Sequence, residues 1–347
     1  MADLLREAGL THVWTDEVGN VLGRRAGTDD ALPPVVVCAH LDTVFPQGTP
    51  VTVREEGDTL VGPGISDNGR GLAVLLALVR ALEAGEVRLR HPVLFAASVG
   101  EAGLGELRGA RHLVSEQGAA HGAAAFIAVD GAGLGQVVNQ GLGSRRFRLE
   151  VRGPGGHSWL DRGTVNPIHA VSGFVAGFRM PATPPDQEAS FSCGRCEGGS
   201  SVNAIPESAW VEVDCRSTSP NHLEEMAAEV TRAATAAVAA EQAARTGKLT
   251  LQTHPIGFRP AGLTDPRSAV VHAARLATDA VGVIPTLGLA STDANAAMAT
   301  GIPAVTMGGG GDAGLAHTTR EWYRNAQGPE GVIRALYTLC LTAGLTS

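Results

Sequence analysis

The segment Pro34-Val35-Val36-Val37-Cys38-Ala39 is continuously apolar and is followed at once by His40-Leu41-Asp42. A short, unbroken apolar run of this kind is typical of a strand that is buried on both faces of a parallel sheet. Two further runs, Pro92–Val99 and Ala123–Val129, predict strands of the same kind, and Asp67–Glu83 has the apolar spacing of a helix. This alternation favours a doubly wound α/β domain with a mostly parallel sheet. Functional residues are expected where the carboxyl ends of its strands meet loops.

The pattern changes near Gly143, where Arg145–Val151 alternates polar and apolar residues as a half-exposed antiparallel strand does. Helices and strands are predicted in the stretch that follows, at Pro167–Phe178, Ala189–Cys196, Ala209–Arg216, Asn221–Arg245 and Leu249–His254. The first pattern resumes after Pro260, with a helix over Pro266–Val281 and a strand at Pro303–Met307. We therefore expect one discontinuous domain, residues 1–142 and 256–347. Residues 143–255 are expected to form an inserted α+β domain of four strands and two helices.

The composition argues against nucleic acid and membranes as partners. The 347 residues include 27 Lys+Arg and 35 Asp+Glu, a net charge of −8, and only 4% are aromatic. Binding to nucleic acid or to an anionic membrane is favoured by basic patches and, for single strands, by stacked rings. The longest apolar stretch, Gly71–Val79, is too short to span a bilayer. The five cysteines are scattered through apolar segments, which predicts a reducing, cytoplasmic location.

Side chains that can bind a metal ion lie at the ends of several predicted strands and loops. They are His40, Asp42, Asp67, Glu101, Asp130 and His317. Residues two apart in a strand point to the same side, so the Asp42 carboxylate is expected to reach the His40 ring and fix its tautomer. One such residue at a strand end would be unremarkable. Several that converge on one edge of the sheet predict a metal site of the zinc type and hydrolytic chemistry.

The order of these residues and the motifs around them resemble those of the co-catalytic zinc metallopeptidases. That family includes glutamate carboxypeptidase, peptidase T, carnosinase, aminoacylase and succinyl-diaminopimelate desuccinylase. The similar motifs are His40–Pro46, Gly62–Asn68, Gly155–Ser158, Gly198–Pro206, Ser291–Ala294 and the glycine run 308–311 ahead of His317. The resemblance covers almost the whole chain, and it implies that the inserted domain is a dimerisation domain.

The resemblance also implies a metal-binding role for each matching residue. His40 and Asp130 would hold one zinc ion, and Asp67 would bridge to a second zinc ion held by His317. Asp42 would orient His40 as a catalytic residue behind the ligands. The peptide bond between Asp67 and Asn68 would be cis.

Further matching positions are implied to carry the reaction and to bind the substrate. Glu101 matches the general base, which takes a proton from the metal-bound water and returns it to the leaving amine. His157 matches a residue of the inserted domain that crosses a dimer and stabilises the oxyanion in the partner's site. The implied substrate-binding residues are Asn203, Arg216, Gly309 and Gly310. The guanidinium fork of Arg216 suits a terminal carboxylate.

The sequence departs from the family pattern at residue 102. The family has two adjacent glutamates, the base and then a zinc ligand, whereas this chain has Glu101 followed by Ala102. The second zinc site would keep only Asp67, His317 and water, unless Glu106, about one helical turn away, replaces the lost ligand. The N-terminal part of the first domain is also expected to be shorter than in the family.

Together these features predict a metal-dependent hydrolase that cleaves amide bonds of short peptides or N-acyl amino acids, similar to the di- and tripeptidase branch. It is expected to be a homodimer and to bind one or two zinc ions per chain, with cobalt or manganese as substitutes. Two alternatives stay open. One is a hydrolase that uses a single zinc ion at His40, Asp67 and Asp130. The other is a catalytically impaired homologue that binds peptide-like small molecules without cleaving them.

Overall fold

The chain folds into two compact units. The computed structural model describes residues 1–346. The first unit consists of Met1–Gly141 and the residues from Gly262 onward, and the second unit is Leu142–Ala261. We expected the second boundary between residues 255 and 256. It lies later because the strand that begins at Thr250 continues to Arg259.

The described residues form nineteen strands and eight α-helices, numbered in chain order. The strands are β1 (His12–Thr15), β2 (Val21–Arg25), β3 (Val35–His40), β4 (Arg54–Glu56), β5 (Thr59–Val61), β6 (Val93–Ser98), β7 (Ala125–Val129), β8 (Gln136–Gly141), β9 (Gly143–Arg152), β10 (Gly156–His157), β11 (Ala189–Gly198), β12 (Ala204–Ile205), β13 (Ser208–Ser217), β14 (Thr250–Arg259), β15 (Gly262–Leu263), β16 (Thr286–Ala290), β17 (Ala304–Met307), β18 (Asp312–Gly314) and β19 (Trp322–Arg324). The helices are α1 (Ala2–Glu7), α2 (Gly69–Ala84), α3 (Arg108–Leu113), α4 (Pro167–Gly177), α5 (Pro220–Ala244), α6 (Ala269–Ala280), α7 (Ala294–Ala299) and α8 (Gly328–Ala343). None of these helices has the length and apolar content needed to cross a lipid bilayer.

A nine-stranded sheet forms the centre of the first unit, in the order β1-β2-β6-β3-β7-β17-β8-β15, with β16 paired to β8. The central strands β6, β3, β7 and β17 run parallel to one another. Helices α2, α6 and α8 pack on one face of the sheet, and α3 and α7 pack on the other. The predicted doubly wound, mostly parallel α/β fold is thereby confirmed.

Strand β3 is apolar at nearly every position because both of its faces are buried. All six of its residues are buried. Val35, Val37 and Ala39 belong to the core beneath α2, while Val36 and Cys38 belong to the core beneath α3 and α7. Successive side chains of a strand point to opposite faces, so a strand between two helical layers needs apolar residues at every position.

The register of the central strands brings their carboxyl ends to one edge. His40, the last residue of β3, is paired with Ser98, the last residue of β6. Cys38 is paired with Ala128 on β7, the strand that Asp130 follows. His40, Glu101 and Asp130 therefore leave the sheet at the same edge, as the sequence predicted.

Helix α2 begins at this edge and is tied to β7. The Asn68 side chain accepts a hydrogen bond from the Gly71 nitrogen and donates one of 2.9 Å to the Val129 carbonyl. A Cβ atom on Gly71 would lie 2.2 Å from Asn68 Oδ1 and 2.4 Å from the Val129 oxygen. Only glycine fits there, because the helix end approaches the neighbouring backbone so closely.

A small antiparallel sheet, in the order β18-β19-β5-β4, completes the first unit. Each of its strands has three residues, and those of β4 are Arg54, Glu55 and Glu56, all exposed. So short and polar a pattern gives no periodic signal, and we did not predict these strands.

The second unit is an α+β fold with its own core. Its sheet has the order β11-β13-β9-β14, and α4 and α5 pack on it around buried residues such as Phe174, Val211 and Met226. Asn166 caps the start of α4 and Ser219 that of α5, and each is followed by a proline at the first helical position. The predicted insert of four strands and two helices is confirmed, with a further two-residue ladder between β10 and β12.

Candidate metal centre

His40 lies at the centre of a group of acidic side chains. Its Nδ1 atom is 2.8 Å from the main-chain carbonyl oxygen of Asp42. A carbonyl can only accept a hydrogen bond, so this contact places the ring proton on Nδ1 and leaves the Nε2 lone pair free for a metal ion. The ring is thus fixed in the way that metal-binding histidines usually are.

The Asp42 carboxylate does not hold the His40 ring, in contrast to our expectation. Its two oxygens accept hydrogen bonds from the main-chain nitrogens of Glu101, at 3.2 Å, and Ala102, at 2.8 Å. The chain has left β3 at this point, so the alternation of a strand no longer determines where the side chain points. Asp42 therefore touches the centre twice: its main chain orients the histidine, and its carboxylate holds the turn that carries Glu101.

Three oxygens surround the Nε2 atom of His40. They belong to Asp67 at 3.0 Å, Glu101 at 3.7 Å and Asp130 at 3.7 Å. His40, Asp67 and Asp130 each offer one ligand atom, and these three atoms all lie within 4.8 Å of one another. Ligands about 2.0–2.2 Å from a tetrahedral ion are separated by roughly 3.3–3.6 Å, so the group has the dimensions of a metal site.

The Nε2 atom itself indicates that a cation belongs in this group. It is buried and makes no hydrogen bond of acceptable geometry, although the three carboxylates lie close to it. Burial works against a charged ring, but the nearby carboxylates of Asp130 and Asp67 favour it and raise the pKa of His40 to about 12. A proton at this position balances the acidic groups, and a divalent cation can take its place. One histidine and two carboxylates also suit zinc, cobalt and manganese as ligands.

Asp67 connects this group to His317. Its second carboxylate oxygen is 2.8 Å from His317 Nε2, and its peptide bond to Asn68 is cis, as the resemblance implied. Burial favours the neutral carboxyl, but the nearby His40 ring and the hydrogen-bonded His317 ring lower the pKa of Asp67. Asp67 thus has one oxygen towards each histidine, which is the arrangement of a bridging ligand.

Glu321 positions Asp67 and was missed at the sequence level. It is fully buried, and its carboxylate accepts hydrogen bonds from the nitrogens of Gly64, Ser66 and Asp67 and from the Ser66 hydroxyl, at 2.7–3.1 Å. A carboxylate that accepts several main-chain hydrogen bonds holds a loop rigidly. The sequence signal was only a glutamate four residues after His317, outside every motif that carries the resemblance.

The turn after β6 contains Glu101, the expected base, and residue 102, the position at which the family pattern has a metal ligand. Glu101 is buried, with one oxygen 3.7 Å from His40 Nε2. Ala102 brings no ligand atom, and Glu106 lies in the turn ahead of α3 outside the group of three ligand atoms. Among residues 1–346, a second ion would thus find Asp67 and His317 together, without a third acidic or histidine ligand in that group. The His317 ring is also 63% exposed, which leaves room for water.

The amide nitrogens of Gly309 and Gly310, two expected substrate-binding residues, make hydrogen bonds within the protein. Both glycines are buried, and their nitrogens donate to the carbonyls of Gly131 and Gly133. The Gly309 carbonyl accepts two hydrogen bonds from the Arg70 guanidinium, at 2.6 and 2.8 Å. These glycines let two loops approach each other, and their role towards a substrate stays a prediction.

The remaining expected site residues lie in the second unit. His157 is exposed, and its Nδ1 atom accepts a hydrogen bond of 3.1 Å from the Trp159 nitrogen, so the proton resides on Nε2. Asn203 is its neighbour, because the Asn203 carbonyl accepts a hydrogen bond from the Ser158 nitrogen. Arg216 lies on β13, where its Nε atom donates to Asp214 at 2.9 Å. Their roles towards a substrate stay predictions.

A cavity of about 390 Å³ lies beside Asp130. Its wall is formed by the loop from Asp130 to Gln136 and by residues of β8, β16 and β17, including Thr306 and Met307. Asp130 is the one acidic or basic residue among those that line it in the described chain. The cavity is large enough for a small uncharged group next to the metal ligands.

The sequence profile of peptidase family M20/M25/M40 matches residues 36–341. The chain belongs to this family. The matched residues include His40, Asp67 and Asp130, so the candidate metal centre lies within the part of the chain that identifies the M20 family. The description of the family names its members as peptidases.

Named relatives of this M20 chain are similar over part of its length. It is 27% identical over 220 residues to a peptidase T-like protein of Rhizobium meliloti, covering 53% of this chain and 52% of that one. It is 27% identical over 189 residues to the succinyl-diaminopimelate desuccinylase of Corynebacterium glutamicum, covering 52% and 50%. The chain thus matches about half the length of these curated relatives.

The fold is also similar to that of a solved aminopeptidase structure. The aminopeptidase PepT from Bacillus cereus superposes with a TM-score of 0.79 at 22% identity, covering 99% of this chain and 91% of that one. The similarity in fold extends over almost the whole chain.

Proposed function

We propose that the protein is a metal-dependent hydrolase of amide bonds in short peptides or N-acyl amino acids, with Glu101 as its general base. The observation that carries the proposal is the buried Nε2 atom of His40, which lacks a hydrogen bond and faces the carboxylates of Asp67, Glu101 and Asp130. A site that offers a lone pair and several carboxylates to one point is built for a cation.

Zinc is our choice of metal, bound by His40, Asp67 and Asp130. A second ion would be bound by Asp67 and His317 with water in the position that Ala102 leaves without a ligand. Because three protein ligands hold an ion more firmly than two, the two ions are expected to differ in affinity. Cobalt or manganese would fit the same nitrogen and oxygen ligands.

The chemistry follows from the position of Glu101. A divalent cation in this group would supply Lewis acidity, which polarises a carbonyl group and lowers the pKa of a water molecule. Glu101 is close to the same point and can accept the proton of that water as it attacks the amide carbon. The carboxyl group then returns the proton to the leaving nitrogen. The main-chain nitrogens of Glu101 and Ala102 donate hydrogen bonds to the Asp42 carboxylate, which holds the turn that carries Glu101.

His157 supports the expectation of an oxyanion-stabilising residue. Its Nδ1 atom accepts a hydrogen bond from the main chain, so Nε2–H is a donor on an exposed ring. Such a donor can stabilise the oxyanion that develops on the amide oxygen. We assign this role to His157 of a partner subunit, with Asn203 and Arg216 as binders of the substrate.

Exposed apolar side chains beside His157 support a homodimer. Trp159 is 69% exposed, Leu160 72% and Val202 fully exposed. Large apolar side chains clustered at a surface commonly mark an interface. We propose that this part of the second unit packs against a second copy of the chain.

Short peptides are the substrates that we favour. The matched relatives include a peptidase T-like protein and a desuccinylase, which act on different amides by their names. The cavity beside Asp130 has no basic residue in its described lining that would bind a succinyl carboxylate. The comparisons offer no support for the alternative of an impaired homologue, and the cytoplasmic location stays a prediction.

Two measurements on purified protein test the proposal. Elemental analysis after reloading with excess zinc should find one to two ions per chain, and protein that retains none would refute the metal centre. Short peptides and N-acetyl and N-succinyl amino acids should then be compared as substrates. Glu101→Ala should abolish turnover without loss of metal. The control Glu106→Gln, a change in the same loop, should leave turnover unchanged. Full activity in metal-loaded Glu101→Ala protein would refute the role of the base.

A further inference from the structure

Asp293 is a completely enclosed carboxylate for which the mechanism above has no use. It directly precedes α7, and its side chain is 3% exposed. A side chain at this position commonly caps the helix, but Asp293 makes no capping hydrogen bond. A buried carboxylate is costly unless it has partners, so its contacts need another explanation.

Its partners are on the two strands that lead to the metal centre. Asp293 Oδ2 accepts a hydrogen bond of 2.5 Å from the Ser98 hydroxyl and one of 3.5 Å from the Cys38 thiol. Ser98 is the last residue of β6, three residues before Glu101, and Cys38 lies two residues before His40 on β3. One carboxylate thus joins the ends of both strands from which the ligand and the base emerge.

The same contacts place Asp293 directly below His40. Cys38 and His40 are two apart on β3, so their side chains point to the same face of the sheet. Ser98 is the register partner of His40 on the neighbouring strand. Helix α7 packs on this face. The carboxylate therefore lies under the metal ligand on the side away from the surrounding solvent.

One of the two carboxylate oxygens of Asp293 is not satisfied by hydrogen bonds. Its Oδ1 atom is buried and has no hydrogen-bond partner in residues 1–346. Burial and the neighbouring Asp130 carboxylate raise the pKa of Asp293, whereas the charge of His40 and the hydrogen bonds from Ser98 and Cys38 favour its ionised form. Asp293 thus interacts with two of the three metal ligands, His40 and Asp130. A negative charge behind two ligands makes the site more favourable for a cation, and such outer groups commonly change metal affinity by about 10–100-fold.

We propose that Asp293 is a positioning residue of the metal centre. Its hydrogen bonds hold the ends of β3 and β6 together, and its charge increases the affinity of the site formed by His40, Asp67 and Asp130. The inference rests on the proposed metal-dependent function, but it concerns a residue that contacts neither the ion nor the substrate.

The test is the zinc affinity of metal-free protein, measured by titration calorimetry with a competing chelator. Asp293→Asn keeps the shape and an acceptor oxygen but removes the charge, and it should weaken zinc binding at least tenfold with unchanged stoichiometry. Ser98→Ala removes the short hydrogen bond and keeps the charge, and it should change zinc affinity less than threefold while kcat falls. Thr264→Val is the matched control, because it removes a buried hydroxyl that bonds to Ala304 elsewhere in the unit.

The outcomes separate this proposal from the proposed function. Wild-type protein that binds no zinc would overturn both. Zinc binding by Asp293→Asn within twofold of wild type, with only the loss of thermal stability that Thr264→Val also shows, would overturn the positioning role alone. If Asp293→Asn does not fold, Asp293→Ser removes the charge with a smaller polar group, and zinc affinity equal to wild type in that variant would refute the proposal in the same way.

Discussion

The carboxylate of Asp42 accepts a hydrogen bond of 2.8 Å from the main-chain nitrogen of Ala102. This bond fixes the backbone at the one position where the family pattern provides a metal ligand and this chain does not. The loss of the ligand therefore leaves the turn itself in a defined conformation. A carboxylate restored at residue 102 would start from a backbone that is already held.

Ala102→Glu should strengthen binding of a second zinc ion by at least tenfold, because it adds a third protein ligand to Asp67 and His317. Zinc titration of metal-free protein measures the two affinities separately. Ala102→Gln has the same size and a much weaker ligand, so it should leave the second affinity near that of wild type. Equal second affinities in the Glu and Gln variants would show that residue 102 does not face this ion.

Asp42→Ala should lower kcat by about 10–100-fold with a smaller effect on metal content, because its carboxylate holds the Glu101 turn while its main chain orients His40. Steady-state kinetics with metal analysis of the same samples check this expectation. Asp42→Asn keeps one acceptor oxygen and should fall between Ala and wild type. A loss of zinc equal to the loss of activity would instead indicate that the carboxylate serves the ligands.

Glu321→Gln should both destabilise the first unit and weaken zinc binding. The amide group would face main-chain nitrogens that now donate to a carboxylate, at a cost of about 1–3 kcal/mol in the free energy of unfolding. Chemical denaturation and zinc titration measure the two effects. The exposed Glu116→Gln is a control for the loss of one negative charge. Unchanged zinc affinity in Glu321→Gln would separate this carboxylate from the centre.

Mixing two inactive variants should restore activity if His157 serves the partner's site. Dimers formed from equal amounts of Glu101→Ala and His157→Ala chains should regain about a quarter of the wild-type activity, because half of the dimers are hybrids with one intact site. Co-expression or co-refolding followed by an activity assay provides the measurement. Glu101→Ala mixed with Asp130→Ala should regain none, since both changes affect the same metal centre. If the mixture of Glu101→Ala and His157→Ala also regains no activity, His157 does not act in the site of the partner subunit.

Gly71→Ala should destabilise the protein by about 1–3 kcal/mol or more, because the added methyl group would overlap Asn68 and the Val129 carbonyl. Thermal and chemical unfolding test this value. Gly177→Ala, at the end of α4, is the control, since a Cβ atom there meets no heavy atom within 4 Å. Equal stabilities of the two variants would show that the start of α2 can move without cost.

The sequence was sufficient to predict the location of residues at or just after the ends of apolar strands. The strands before His40, Glu101 and Asp130 are buried on both faces, and their continuous apolar runs also show where each one ends. Once the strand ends are known, a parallel sheet brings the residues after them to one edge. The identities of the individual metal ligands depended further on the resemblance of motifs.

Residues outside regular elements could not be predicted in this way. Glu321 acts through long-range hydrogen bonds to residues more than 250 positions away, and no local pattern records such contacts. The orientation of Asp42 depends on the turn after Gly100, and the amide groups of Gly309 and Gly310 are used by another loop. Tertiary contacts determine the orientation of these groups. The C-terminal helix α8 is also absent from the elements that the sequence predicted.

Gly141 and Gly262 face each other in register across β8 and β15, and the complete second unit lies between them in the chain. Antiparallel neighbours need no more than a two-residue hairpin turn to be joined. A chain in which Asn-Gly replaces Leu142–Ala261 would therefore keep the strand order of the first unit. Since His40, Asp67 and Asp130 all belong to the first unit, zinc binding by this shortened chain would show whether the metal centre forms without the second unit.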